Sequence, residues 1–326
     1  MLLDNDSMKS TLKLLASTIL GLALQAQSAD FAYITNQGEN SVSVIDLAQD
    51  QVVKTLSVGS GPVGVTVSPA TDRAFVSNVD SQSISVIDTS ANKVIGEFKL
   101  EVSPVGLTVN PSGAEIYVAD WFSDRVLVLD STNGKTLSAI ATGKAPAGMQ
   151  VSPDGRLLYV ANRDSNDVAV IDLAKRKVIQ QIPVGRHPFG VTLNRDGSRL
   201  YAVNVYSNSL SVIDTQSRNV IATVPVGDHP YCVAVNDNGG FVYVTNTQGD
   251  SVAIIRAADN QVLTTLDVGN VPEGIAYDRE HQKVYVASWG DDAVSVIDAV
   301  SNKLTKSIPT GKQSRAFGQF IAQVSH

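Results

Sequence analysis

The chain has 326 residues, of which 43% are hydrophobic and 17% charged, so it can bury a core and does not have the composition of a disordered segment. Twenty-five Lys and Arg against 32 Asp and Glu give a net charge of −7, which argues against non-specific binding to nucleic acid and against docking on an anionic membrane surface. The single cysteine, Cys232, excludes an internal disulfide framework and a Cys-rich metal site.

Residues 1–29 have the pattern of a cleavable secretory signal peptide. Two lysines precede an apolar stretch, Leu14 to Ala26, and small residues follow up to Ala29. That stretch is shorter than the roughly 20 residues that a membrane-spanning helix needs. Acidic residues before Met8 do not suit a signal peptide, so translation from Met8 is an alternative start. We expect residues 30–326 to form one domain, a soluble periplasmic monomer without a transmembrane segment.

A unit of 42 residues repeats along the rest of the chain, and three columns of residues mark it. An aromatic-Val-x-Asn motif recurs with its aromatic position, once per unit, at Tyr33, Phe75, Tyr117, Tyr159, Tyr201, Tyr243 and Tyr285. A Val-x-Val-Ile-Asp run ends at Asp46, Asp88, Asp130, Asp172, Asp214, Arg256 and Asp298. A proline recurs at Pro62, Pro104, Pro146, Pro188, Pro230 and Pro272, followed two residues later by glycine in all but one unit.

Each unit predicts four short strands, which in the second unit begin at Val63, at Phe75, at Ser83 and at Lys93. The Asp column suits a turn that its own carboxylate caps, and we expect the same of the Asn column. Four strands per repeat predict an all-β fold, a seven-bladed β-propeller with four antiparallel strands in each blade. The segment from Ser314 to Ile321 has the pattern of a first strand. We expect it to complete the blade that the N-terminal strands begin.

These motifs resemble those of the YVTN-repeat β-propellers, which are secreted bacterial and archaeal proteins. Tyr243-Val-Thr-Asn246 is the literal signature, and the Val-x-Val-Ile-Asp and Val-Gly-x-x-Pro-x-Gly segments accompany it. The resemblance covers nearly everything after Ala29. It implies the propeller fold and an envelope or periplasmic location. It leaves activity open, because similar propellers serve as non-catalytic subunits of amine dehydrogenases or carry haem in proteins like nitrite reductase.

Columns that differ between repeats are free to serve binding, and the most variable ones flank the Pro and Asn columns. In a propeller the loops from the fourth strand to the next first strand and from the second strand to the third lie on one face. Aromatic residues, histidines and arginines accumulate there, which are residue types favoured in recognition sites. The candidate binding residues are Trp121, Phe122, Arg163, Arg186, His187, Tyr206, His229, Tyr231, Glu273, Trp289 and Arg315. Packing between neighbouring loops is the alternative role for the same side chains.

The sequence favours a binding or scaffold protein that recognises a protein partner or a small molecule over the central channel. One alternative is an accessory subunit of a periplasmic redox system, in which His187 and His229 could hold a metal or haem iron. Otherwise we predict no cofactor and no catalytic residue, since no catalytic motif is present. A propeller lactonase or lyase, with Glu273 and His229 as acid and base, is the other alternative. Cys232 is expected to be a buried, unreactive thiol.

Overall fold

The computed structural model describes residues 30–236 and 238–322, so the predicted signal peptide lies outside the described residues. The described chain forms seven four-stranded antiparallel sheets, which confirms the predicted fold class. No helix in this part of the chain is long and apolar enough to cross a membrane. The few helical residues are single 3₁₀ turns at Gln37–Glu39, Pro69–Thr71, Arg163–Ser165 and Val205–Ser207.

The sheets are the blades of the propeller, and we number them in chain order. Blade 1 contains β1 (Phe31–Asn36), β2 (Ser41–Asp46), β3 (Gln51–Ser57) and β28 (Ile321–Ala322). Blade 2 contains β4 (Pro62–Ser68), β5 (Arg73–Asn78), β6 (Ser83–Asp88) and β7 (Lys93–Lys99). Blade 3 contains β8 (Pro104–Val109), β9 (Glu115–Asp120), β10 (Arg125–Asp130) and β11 (Thr136–Ala141). Blade 4 contains β12 (Pro146–Val151), β13 (Leu157–Asn162), β14 (Asp167–Asp172) and β15 (Lys177–Pro183).

The remaining three blades repeat the same order. Blade 5 contains β16 (Pro188–Leu193), β17 (Arg199–Asn204), β18 (Ser209–Asp214) and β19 (Asn219–Pro225). Blade 6 contains β20 (Pro230–Val235), β21 (Phe241–Asn246), β22 (Ser251–Arg256) and β23 (Gln261–Asp267). Blade 7 contains β24 (Pro272–Asp278), β25 (Lys283–Ser288), β26 (Ala293–Asp298) and β27 (Lys303–Pro309). The first strands of neighbouring blades contact one another, and β28 contacts both β24 and β4, so the ring is closed.

The two ends of the described chain close the ring, but the C-terminal segment pairs with β1 over fewer residues than a full first strand would. Only Ile321–Ala322 pair with β1 as a strand, although Arg315 also donates its N–H to the Thr35 carbonyl (2.9 Å). Between Phe317 and Gln319 the segment pairs instead with β4 of blade 2, where Val65 donates to the Phe317 carbonyl (2.9 Å). Gly318, with φ near 117°, permits this turn toward the channel, because other residues rarely adopt that conformation. The predicted strand from Ser314 to Ile321 is therefore mostly irregular.

The core lies between the blades, since the second and third strands of each blade are buried and the fourth is largely exposed. The aromatic column packs there, with Tyr33, Phe75, Tyr243 and Tyr285 fully buried. Several of its hydroxyls reach the following blade; Tyr285 of blade 7, for example, donates to Asp50 of blade 1 (2.6 Å). Burying apolar area between repeats supplies most of the stability in such an array.

The two polar columns have different structural roles. Each aspartate caps the turn between third and fourth strands, as predicted; the Asp46 carboxylate accepts N–H bonds from the residues two and three places later (both 3.0 Å). The asparagines do not cap their own turns, which corrects the prediction for that column. Asn36, for example, donates its side-chain amide across to the hydroxyls of Ser41 (3.0 Å) and Ser43 (2.9 Å) on the next strand.

Candidate functional site

Antiparallel order places the loops from fourth to first strands and from second to third strands at one end of the channel. We call this end the loop face and the opposite end the turn face. Two sets of hydrogen bonds hold the loop face in shape. In blade 5, His187 donates its backbone N–H to the Asn166 side chain (2.9 Å) and accepts from the Val205 N–H (3.0 Å). His229 makes the corresponding bonds to Asn208 (3.1 Å) and Thr247 (2.9 Å).

These bonds place the residue before the proline in the left-handed region, with φ of 54° at His187 and 52° at His229. The asparagine or aspartate that accepts the bond belongs to a further repeated column. That column reads Asn40, Gln82, Asp124, Asn166, Asn208, Asp250 and Asp292. Asparagine and aspartate tolerate left-handed backbone, which their own positive φ values confirm. The 42-residue spacing of this column was the sequence signal for these loop hydrogen bonds, and the predicted features did not include it.

Five of the predicted residues meet in one cluster on the loop face, which we call the aromatic cluster: Trp121, Arg163, His187, Tyr206 and His229. Tyr206 stacks on the His187 ring (4.1 Å between centroids) and meets His229 edge-on (5.7 Å). The Arg163 guanidinium lies 5.4 Å from the Trp121 ring centroid and 5.9 Å from that of Tyr206. These distances allow cation–π attraction. The cluster remains partly open to solvent, since Tyr206 is 46% exposed.

Below the aromatic cluster, rings from three blades fill the mouth of the channel. We call Phe189, Tyr231 and Phe317 the channel plug. Phe189 stacks on Tyr231 (4.2 Å) and lies 4.9 Å from Phe317, and Trp121 connects the plug to the aromatic cluster (6.1 Å from Phe189). Of these three, only Tyr231 was among the predicted site residues. Phe189 follows Pro188 as Tyr231 follows Pro230, so the variable column after the prolines was the available signal for it, whereas Phe317 lies in the segment predicted as a first strand.

Arg315, Glu273 and Tyr231 form a hydrogen-bonded group beside the plug. The Arg315 guanidinium donates to both Glu273 carboxylate oxygens (2.5 and 3.1 Å) and to the Tyr231 hydroxyl (3.1 Å). Glu273 is 8% exposed, and burial raises the pKa of its carboxyl while Arg315 acts in the opposite direction. With both oxygens engaged by Arg315, Glu273 has a different partner from His229, whose Nδ1 pairs with Asp228 (2.9 Å). The geometry gives no support to Glu273 and His229 as an acid–base pair.

The other predicted residues lie on the loop face outside the stacked rings. Phe122 is 79% exposed, and Arg186 is exposed with its guanidinium on the Tyr206 carbonyl (2.7 Å). Trp289 of blade 7 occupies the position that corresponds to Trp121 in blade 3. Its backbone N–H donates to the Val271 carbonyl (3.0 Å). Arg315 pairs with Glu273 and is mostly buried.

The two histidines lie within the aromatic cluster, and the described residues around them do not form a cluster of metal ligands. The Tyr206 ring contacts both imidazoles, and one histidine ring nitrogen, Nδ1 of His187, is buried without a hydrogen-bond partner. Burial and then the nearby Arg163 guanidinium lower the pKa of His187. Within residues 30–236 and 238–322, no three His, Cys, Asp or Glu side chains converge as metal ligands. Metal sites need three or four such ligands in a fixed geometry.

Cys232 replaces the glycine of the first strand in blade 6 and is buried, 6% exposed. Burial and, secondarily, the Glu273 carboxylate raise the pKa of its thiol well above the usual range. Because the thiolate is the reactive form, this position suits an unreactive thiol.

Part of the chain matches a known protein family. The family model for the cytochrome D1 heme domain matches residues 117–236, less than half of the chain. That segment runs from the second strand of blade 3 to the end of the first strand of blade 6. It contains all five residues of the aromatic cluster.

Three solved structures share the fold. A chain of Kuenenia stuttgartiensis hydrazine synthase is 26% identical, with a TM-score of 0.71, over 78% of this chain and 88% of that one. A functionally unknown protein from Desulfotomaculum acetoxidans has a TM-score of 0.77 at 15% identity, over 89% of this chain and 100% of that one. Dihydro-heme d1 dehydrogenase NirN, solved in complex with DHE, has a TM-score of 0.70 at 15% identity, over 89% of this chain and 75% of that one.

Among curated proteins, the PE-PGRS family protein PE_PGRS18 of Mycobacterium tuberculosis is 54% identical over 39 residues. The match covers 12% of this chain and spans only 8% of that protein. It therefore concerns about one repeat unit, and it supports the repeat rather than a shared activity. The chain is a seven-bladed β-propeller in which residues 117–236, covering blades 4 and 5 and parts of blades 3 and 6, match the family model of the cytochrome D1 heme domain.

Proposed function

We propose that this protein is a periplasmic binding subunit of a redox system, which docks a protein partner on its loop face. The observation that carries the proposal is the aromatic cluster, in which the hydrogen-bonded loops hold an arginine and two histidines against Trp121 and Tyr206. Energetic hot spots at protein interfaces are enriched in tryptophan, tyrosine and arginine, which bring large contact area or directed hydrogen bonds.

The shallow shape of the loop face favours a protein partner over a small-molecule ligand. Phe189, Tyr231 and Phe317 fill the channel mouth, so the rings present a shallow surface instead of a deep pocket. Phe122 and Tyr206 stand exposed at its edge. Small-molecule sites are concave and enclose most of their ligand, whereas protein interfaces are flatter with aromatic anchors.

The redox assignment rests on the comparisons. The match to the cytochrome D1 heme domain and the likeness to a chain of hydrazine synthase both support a place beside a redox enzyme. We place the redox centre of that system in the partner protein. The predicted signal peptide supports the periplasm, where such partners work.

A triple variant on the loop face tests this function. Phe122→Ser, Arg163→Gln and Tyr206→Ser together remove two exposed rings and the cation without touching the buried core. The tagged protein, expressed in its own cell, should lose the partner that co-purifies with the wild type. The matched control, Arg156→Gln, Val300→Ser and Leu304→Ser, removes one exposed cation and two exposed apolar side chains elsewhere. It should retain the partner; equal recovery with both variants would refute the proposal.

A further inference from the structure

A second candidate site lies on the turn face, opposite the aromatic cluster. A depression of about 440 Å³ opens there over the channel, and all seven blades contribute to its lining. Its wall is formed by the ends of the first strands and the turns that follow them. A concave space of several hundred Å³ has the size of a small-molecule site. The loop-face function proposed above does not use this surface.

The floor of the depression is polar. Gln319 of blade 1 and Gln150 of blade 4 meet across the channel, where the Gln319 amide donates to the Gln150 side-chain oxygen (3.3 Å). Below them the channel narrows to a cavity of about 30 Å³ that Phe317 and inner-strand residues line. A ligand would therefore enter and leave by the turn face. Within the described chain the Gln319 side-chain oxygen receives no hydrogen bond, so it remains an acceptor.

Thr192 of blade 5 places a hydroxyl in the lining. It occupies the position of Gln150 one repeat later, so its side chain is directed to the channel as that of Gln150 is. Thr192 is 6% exposed, and its hydroxyl makes no hydrogen bond with any residue that the structure describes. Buried polar groups are nearly always hydrogen-bonded. An unpartnered hydroxyl on the wall of a depression therefore indicates a position where a ligand supplies the partner.

Two asparagines of the lining add amide donors. Asn110 and Asn236 begin the turns after the first strands of blades 3 and 6. Their side-chain oxygens accept the N–H groups of Glu115 (3.1 Å) and Phe241 (2.9 Å). Since each oxygen is used by its own turn, the other polar group of the side chain is an NH₂ donor. No acceptor for either NH₂ group lies among the described residues.

The polar groups that remain for a ligand are uncharged. Arg195 and Arg279, which also line the depression, have interaction partners of their own. Between the polar groups, Val109 and Leu193 are half-buried and leave apolar surface open. Tyr277 is half-buried too, and it places a ring in a column that reads Val or Leu in blades 2 to 6. The lining thus combines uncharged donors and acceptors with apolar and aromatic surface.

We propose that the turn-face depression binds a neutral mono- or disaccharide. Thr192 and the two asparagines bond its hydroxyls, and the Tyr277 ring packs against one face of the sugar. Sugar hydroxyls both donate and accept hydrogen bonds, so they match a mixture of uncharged donors and acceptors. The C–H groups on the face of a sugar ring pack on apolar and aromatic side chains. This site is independent of the loop face and does not rest on the proposed partner.

Titration of the mature protein, followed by NMR of its backbone amides, tests the site. The neutral probes are glucose, maltose and trehalose, and the charged ones are glucuronate and glucosamine. The neutral sugars should shift the amide signals of the turns that line the depression. Maltose and trehalose should bind more tightly than glucose, because they fill more of the depression. Both charged sugars should bind more weakly than glucose, because a charge that leaves water without a partner is costly.

Thr192→Val removes the hydroxyl with little change of shape. It should weaken maltose binding by about fivefold, the usual effect of losing one neutral hydrogen bond. Tyr277→Val introduces the residue type of the neighbouring blades and should also weaken binding, because the sugar loses its aromatic surface. The matched control is Thr66→Val, at the same position of the repeat in blade 2 but outside the lining. It should bind maltose as the wild type does.

Failure of all three neutral sugars to bind would overturn the proposal. So would tighter binding of glucuronate or glucosamine than of glucose, which would indicate a site for an ion. Binding that neither Thr192→Val nor Tyr277→Val weakens, while thermal melting confirms that both variants fold, would also contradict it.

Discussion

The Arg315–Glu273 pair connects the C-terminal segment of the described chain to blade 7 at the channel mouth. Side-chain exposure is 19% for Arg315 and 10% for Glu273, so both charges lie mainly out of water. Breaking such a pair leaves one buried charge unpaired, which costs more than the pair itself contributes.

Arg315→Met should therefore destabilise the fold by about 3 kcal/mol, as expected when one partner of a buried pair is removed. The matched control is Lys99→Met, which breaks the exposed Lys99–Glu97 pair and should cost less than about 1 kcal/mol. Urea unfolding gives both values. Equal small losses would mean that the buried pair contributes no more than a surface one.

His187 should titrate below the ordinary histidine pKa of about 6.5, because burial and the Arg163 charge both disfavour its protonated form. The unfolded chain then binds the proton more readily, so this histidine's contribution to stability is complete above about pH 6.5 and is lost as the pH falls toward its lowered pKa. NMR titration of the imidazole measures the midpoint. Arg163→Gln should raise it; a wild-type midpoint at or above 6.5 would contradict the assignment.

For single residues, the sequence predicted which residue types occupy the loop face better than it predicted their contacts. The variable columns correctly indicated that Trp121, Arg163, His187, Tyr206 and His229 share a face, because the repeat fixes which loops lie together. That they touch depends on left-handed loop backbone and on side-chain directions, which no column shows. Phe317 enters the plug only because Gly318 turns the chain, so a repeat pattern could not have placed it.

The elements follow the repeat closely. The predicted third strand of blade 2 begins at Ser83 and ends at Asp88 as the structure has it, since strict alternation fixes strand and register together. All seven fourth strands are largely exposed, and the register shifts in all seven pairs of third and fourth strands. Such bulges protect exposed sheet edges from pairing with another chain.

The glycine column of the first strands permits the inner ring to close. A Cβ on Gly106 would lie 2.1 Å from the Ala147 carbonyl oxygen of the next blade. Gly106→Ala should therefore cost at least about 2 kcal/mol by overpacking. Gly96→Ala is the control, because its Cβ would meet nothing within 4 Å on an exposed fourth strand, and it should be neutral or slightly stabilising. Equal melting temperatures for the two variants would contradict this account of the ring.

For the whole molecule, a closed ring presents two faces of different chemistry. The loop face carries exposed rings and cations over a plugged channel mouth, and the turn face carries a depression of about 440 Å³ that all seven blades line. The repeat predicted the ring and its loop face. It did not predict the depression, because the turns that line it come from separate repeats and meet only once the ring has closed.

The most direct test of the central claim is native mass spectrometry of the mature protein, purified gently from its own source and compared with its denatured mass. The account predicts additional mass the size of a protein subunit, which denaturation removes and which the triple variant at Phe122, Arg163 and Tyr206 lacks. A wild-type chain that is found only as a bare monomer, at concentrations where the complex should persist, would contradict it.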